Sequence, residues 1–138
     1  MDDKHWIIVT AEISATLDQV WEKWTQGAHV VNWNFAHHSW CCPRATSDFK
    51  VGGISSYRME AKDGSMGFDL NATFTQIEPL AMIASVLEDG RKVEVRFTKS
   101  EKGIHIEQRF EPESQNSRDL QQMGWQAILD QFKTYCEQ

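Results

Sequence analysis

Two short runs in the chain carry residue types able to do chemistry: His37-His38 and Cys41-Cys42. Zinc takes histidine and cysteine ligands. Neighbouring residues on an extended segment point to opposite sides, so each pair offers about one ligand. His5, His29 and His105 are isolated in the sequence and complete no ligand set. No metal or other cofactor is expected. Either His37 or His38, set beside Tyr57 or Glu60, would make an acid–base pair for a cyclase- or hydrolase-like reaction. Nothing in their spacing brings them together, and the chain has no nucleophile elbow, phosphate loop or HExxH motif. No catalytic residue is therefore assigned. A histidine loop with partly buried thiols is the plainer reading.

A second set suggests binding rather than catalysis. Large aromatics are in surplus: Trp24, Trp33, Phe35, Trp40, Tyr57, Phe68, Phe74 and Phe97. They can fill a core, or they can wall a cavity for a lipophilic molecule. Two details favour the cavity. Gly124 lies mid-helix, where glycine costs about 1 kcal/mol relative to alanine, so it leaves room for a ligand or for another backbone. Gln121 and Gln131 fall within or beside an apolar face, where a buried amide needs a partner. An empty void of ~300 Å³ would cost on the order of 7 kcal/mol, comparable to the ~5–15 kcal/mol stability of a whole domain. A void of that size would be kept for a use, or filled by water or ligand. The expected binding residues are Trp33, Phe35, Trp40, Tyr57, Met59 and Phe68, with Phe74, Val95, Phe97, Gln121, Gly124 and Ile128.

The elements that must position these residues follow from periodicity. Ser117 to Cys136 reads as a long helix capped by Asn116 or Ser117. Leu120, Gly124, Trp125, Ile128, Phe132 and Tyr135 share its apolar face, which Met123, Ala127, Leu129 and Cys136 widen. Gln122, Gln126, Asp130, Lys133 and Glu137 fill the rest. So broad an apolar arc calls for cover on the flanks as well as beneath, which a curved sheet would give. Trp6 to Ile13 reads as the first strand. Thr16 and Gln19 have capping-box spacing ahead of a helix ended by Gly27, and a second short helix spans about His29 to Trp33. Strands follow at Cys41–Thr46, where Pro43 implies an edge or bulge, then at about Ile54–Ala61, Phe68–Ile77, Met82–Leu87, Lys92–Lys99 and Ile104–Phe110. Connectors such as Asp63-Gly64 and Asp89-Gly90 carry turn chemistry. Inward alternation places Ser55, Tyr57, Met59 and Ala61 on one face of the third strand, and Phe68, Leu70, Ala72 and Phe74 on one face of the fourth. The class is α+β: an antiparallel sheet of six or seven strands curled around the last helix.

Composition narrows the partners. The chain has 138 residues, suited to one domain over 1–138, and a net charge of −6, which argues against a nucleic-acid partner. Three cysteines, two of them adjacent, make a poor disulfide framework and fit a reducing cytoplasm. Neither a signal peptide nor a membrane-spanning run is read from the sequence. Trp6 and Ile8, on the outward face of the first strand, form an apolar patch that either pairs with a second copy, giving a homodimer, or lies under a neighbouring helix.

Four passages carry a family resemblance: Ile13-Ser-Ala with Val20-Trp21; Trp33 after the second helix; Asp48-Phe-Lys-Val-Gly52-Gly53 before Tyr57 and Met59; and Gly124-Trp125. Through them the chain resembles, from about Trp6 to Cys136, the bacterial AHSA-like family, homologues of the activator of the heat-shock protein 90 ATPase. That family lies within the START-related, polyketide-cyclase-like (SRPBCC) superfamily. The resemblance implies a helix-grip fold with a hydrophobic cavity between helix and sheet, and a small hydrophobic ligand such as a lipid, a polyketide or an aromatic compound. A stress- or chaperone-related interaction module is the other class it suggests. The eukaryotic activators carry an additional N-terminal domain with no counterpart here, so ATPase activation is not the expectation. Fold resemblance by itself does not set activity.

Overall fold

The computed structural model describes residues 5–138; the two acids at the start of the chain lie outside them. The element order is β1 (Ile7–Ile13), α1 (Leu17–Thr25), α2 (Gly27–Val30), β2 (Trp40–Ser47), β3 (Ile54–Ala61), β4 (Gly67–Glu78), β5 (Met82–Leu87), β6 (Lys92–Ser100), β7 (Gly103–Phe110) and α3 (Arg118–Glu137). The seven strands form one antiparallel sheet in the order β1-β7-β6-β5-β4-β3-β2. Six of these strands follow one another through short connectors, and the sheet closes its order by pairing β1 with β7. Its inner face meets α3 and α1 in one apolar core built on Val9, Ile13, Val20, Phe97, Ile106 and Phe132. This is the α+β helix-grip arrangement.

The local signals act as their chemistry requires. Thr16 and Gln19 form a reciprocal capping box at the start of α1, and the Ser117 side chain accepts the Leu120 N–H at the start of α3. Pro43 sits both on an edge strand and inside a register shift between Cys41 and Arg44, the two places a residue without an N–H is tolerated. A second register shift, between Phe74 and Gln76, has no counterpart in the sequence reading. Beyond it Ile77 packs on the core, so the inward parity of β4 changes along its length.

Gly27 does not end α1. Gln26 is the C-cap, and Gly27 opens α2, which finishes at Val30 rather than at Trp33. The glycine answers to a close approach: a Cβ there would lie 2.3 Å from the Ala45 carbonyl oxygen on β2.

The buried stripe of α3 is also rotated from the expected one. Gln121, Leu129, Phe132 and Cys136 are its buried residues, whereas Leu120 and Met123 are exposed. The cause is the position of α3 along the free edge of β1. Arg118 donates to the His5 and Trp6 carbonyls at 3.1 and 2.9 Å. Gln122 donates to Ile8 at 3.2 Å, Gln126 to Thr10 at 2.9 Å and Lys133 to Glu12 at 2.5 Å. The polar arc of the helix thus satisfies the edge carbonyls that β7 cannot reach. Helical positions about 4 apart meet alternate carbonyls of a strand that all point one way.

Trp6 is only 6% exposed, which leaves Ile8 as the exposed part of the expected patch. The Arg109 guanidinium lies 4.8 Å from the Trp6 ring centroid. Among the described residues no helix is long and apolar enough to cross a membrane.

Candidate functional site

Between the sheet and the first half of α3 lies a cavity of about 300 Å³. It exists because the alternating strands point modest residues inward at this end: Leu70 and Ala72 on β4, Ser85 on β5, Val93 and Val95 on β6. From the helix, Trp125 and Ile128 cover it. Trp125 stacks on Phe110 with centroids 3.9 Å apart, which fixes the indole as a wall.

The opposite end is closed by an aromatic plug. Trp24, Trp33 and Phe132 meet with centroid separations of 4.8–5.0 Å. The Trp33 indole N–H donates to the Lys23 carbonyl at 3.0 Å, which satisfies its polar edge. Phe49 forms a further wall, edge-on to Phe74 at 5.2 Å. The turn that carries it is tied to β4: Gly52 N–H donates to the Phe74 carbonyl at 2.8 Å, and Phe74 N–H to the Gly53 carbonyl at 3.0 Å. A Cβ on Gly53 would lie 1.9 Å from the Asp48 oxygen, so only glycine permits a turn this tight.

Of the expected residues, Trp33, Tyr57, Met59, Phe68, Phe74, Val95 and Ile128 do line the cavity. Phe68, 49% exposed, marks a side where the cavity reaches solvent. Phe35 and Trp40 do not line it; they are partly buried against the core, and Trp40 packs beside Phe68 at 6.2 Å. Phe97 points inward as expected, but it lies further along β6, where Trp21 and Trp24 cover it at 5.3 and 5.8 Å. Alternation gives a residue's face, not how far along the strand the neighbouring helix reaches.

Gln121 is buried but does not line the cavity. Its amide donates to the Glu113 and Asn116 carbonyls at 3.1 and 2.8 Å and accepts the Glu113 N–H at 2.9 Å. It anchors the β7–α3 connector. Gly124 does not line the cavity either, and a Cβ there would meet nothing within 4 Å. No backbone approaches it, and it stands one turn before Ile128 beside open space.

The polar part of the wall was largely missed. Asn34, Ser55, Ser85, Gln108 and Arg91 all face the cavity. A usable signal existed for Gln108: it interrupts the inward series Ile104, Ile106, Phe110 with an amide. Tyr57 lies deep enough that burial pushes its phenol up to about 12. It stays protonated, a neutral donor in an apolar wall.

The histidine and cysteine runs do not form a reactive set. His37 pairs with Ser39 at 2.8 Å and Glu60 accepts from Arg58 at 2.9 Å, so neither joins the other or Tyr57. Burial raises the Cys42 thiol above its ordinary range and pushes Cys136 up to about 11, away from the thiolate form that reacts. Among the described residues no three His, Cys, Asp or Glu side chains are placed to share a metal ion.

The comparisons agree with this fold. The family model described as Activator of Hsp90 ATPase homolog 1-like protein matches residues 14–137. An AHSA1-like protein from Aeromonas hydrophila, solved in solution, is 37% identical with a TM-score of 0.89, over 94% of this chain and 90% of that one. A protein from Cytophaga hutchinsonii is 40% identical with a TM-score of 0.79, over 95% and 90%. A Chromobacterium violaceum protein shares the fold alone, at 16% identity and a TM-score of 0.83 over 97% and 99%. No curated protein matches the chain.

Proposed function

The chain belongs to the activator of Hsp90 ATPase homolog 1-like family, and from that membership and its cavity we propose that it binds a small hydrophobic molecule between the sheet and α3. The observation that carries the reading is an unfilled space of about 300 Å³ with a mostly apolar lining and a few polar groups. That is the low end of ligand-pocket size and the usual lining chemistry. Aromatic plugging at one end and a rigid Trp125 wall at the other make it a preformed site, which lowers the ordering cost of binding.

Three tryptophans, Trp24, Trp33 and Trp125, line the cavity and give it a built-in reporter. The test is a panel of lipophilic compounds followed by tryptophan fluorescence and thermal shift, together with native mass spectrometry of freshly purified protein. A saturable fluorescence change with a raised melting temperature, or a co-purifying small molecule, is expected. A broad panel that moves neither signal, with no bound mass, refutes the reading. Conversion of a bound molecule on incubation would add a cyclase- or hydrolase-like step, for which the wall offers the Tyr57 phenol but no histidine pair.

A further inference from the structure

We propose that the molecule held in this cavity is an amphipathic monocarboxylic acid, its apolar body against the aromatic plug and its carboxylate on Arg91. The inference rests on the cavity-binding reading above and gives it a ligand class.

Arg91 is the one charged residue among those lining the cavity. It sits in the turn between β5 and β6, where its carbonyl accepts the Leu87 N–H at 2.8 Å. Val93, two residues on, is paired with Phe110, the ring on which Trp125 stacks. Arg91 therefore lies at the end of the cavity covered by the first half of α3, away from the Trp24–Trp33–Phe132 plug. A bound molecule has a cationic end and an aromatic end to choose between, so its orientation is dictated.

The guanidinium is held but not used up. Asp89 accepts from Arg91 Nε at 2.7 Å and from its backbone N–H at 3.1 Å. That clamp takes one edge of the planar group. Among the described residues neither terminal nitrogen, Nη1 or Nη2, has a hydrogen-bond acceptor, although the side chain is only 22% exposed. The two terminal nitrogens are left free to donate, and they match the two oxygens of a carboxylate. The remaining arginines are engaged elsewhere: Arg44, Arg58, Arg96 and Arg109 pair with acids, and Arg118 holds the β1 edge.

A single guanidinium that already shares one edge with Asp89 suits at most a monoanion. A phosphate dianion would meet no second cation in the wall. Ser85 and Gln108, on the inner faces of β5 and β7, also have no side-chain hydrogen-bond partner among the described residues and can take a hydroxyl or a water along the body of the ligand.

The test uses the full chain and a matched pair, decanoate and 1-decanol, titrated by calorimetry near pH 7.5 against wild type and Arg91→Gln. Wild type should bind decanoate at least about tenfold more tightly than decanol. Arg91→Gln should lower decanoate affinity by about that factor and leave decanol within about twofold. Equal wild-type affinities, or an equal loss of both in the variant, overturn the acid while leaving the cavity reading intact. Binding of neither compound by wild type overturns this proposal, and the broad panel above then decides the cavity reading. Should Arg91→Gln fail to fold by thermal melting, Arg91→Lys keeps the charge and loses the fork. Its decanoate affinity should fall at least about threefold with decanol unchanged, and unchanged decanoate affinity refutes the forked contact.

Discussion

Substituting Ala72 by leucine asks directly whether the space under α3 is open. Ala72 points inward from β4, lines the cavity and pairs with Ser55 on one side and Leu87 on the other. Leucine adds three carbon groups. At about 0.8 kcal/mol per buried methylene the gain is at most about 2.4 kcal/mol, provided the atoms enter free space. Overfilling a packed site would instead cost about 1–3 kcal/mol, so the sign of the change separates the two cases. The expected result is greater stability in urea and a melting temperature about 5–10 °C higher. Affinity for a bound lipophile should fall in the same variant, because the added side chain takes the ligand's volume. Urea unfolding followed by tryptophan fluorescence, with a parallel ligand titration, reads both. Loss of stability, or a gain with unchanged ligand affinity, refutes the open cavity as the binding site.

Other outcomes follow from the geometry. Gly124→Ala, mid-helix beside open space, should stabilise by about 1 kcal/mol in urea; destabilisation would mean something lies against that position. Gly27→Ala drives a Cβ to 2.3 Å from the Ala45 oxygen and should cost about 1–3 kcal/mol, with the melting temperature as readout and an unchanged value counting against the contact. The backbone N–H of Lys92, then the His5 side chain, hold the Glu111 carboxyl below its ordinary range. A lowered folded value gives stability that is full above the unfolded value of about 4.3 and lost as pH falls through the folded one. Glu111→Gln should therefore show a shallower drop in melting temperature between about pH 5 and pH 3, and parallel curves would exclude Glu111 as a source of acid lability.

Most of the architecture was legible because period carries it. Alternation gave β3 and β5 their full extents, and the inward faces of β3 and of β4 as far as Phe74. The breadth of the apolar arc on α3 called for a sheet around it. What periodicity lacks is distance. It could not say that Phe97 lies beyond the cavity, under Trp21 and Trp24, or that Gln121 turns back onto the connector before α3. Nor does a glycine state its purpose. Gly27 looked like a helix stop and is a contact with β2, whereas Gly124 read as room for a ligand or for another backbone, and no backbone approaches it. The charged end of the cavity was hidden by its setting, since Arg91 follows an Asp-Gly turn and reads as an ordinary solvent-facing residue.

The row of side chains that α3 lays along β1 has a bearing on misassembly. A bare sheet margin is a template on which another chain can add itself as a further strand. Here one margin is interrupted by Pro43 and its bulge, and the other is occupied by the protein's own terminal helix. Undocking of α3 would unseal the cavity and uncover that margin in a single event. Release of any molecule bound there and the onset of aggregation would then share one trigger, and a ligand that holds α3 in place would act as a guard against polymerising.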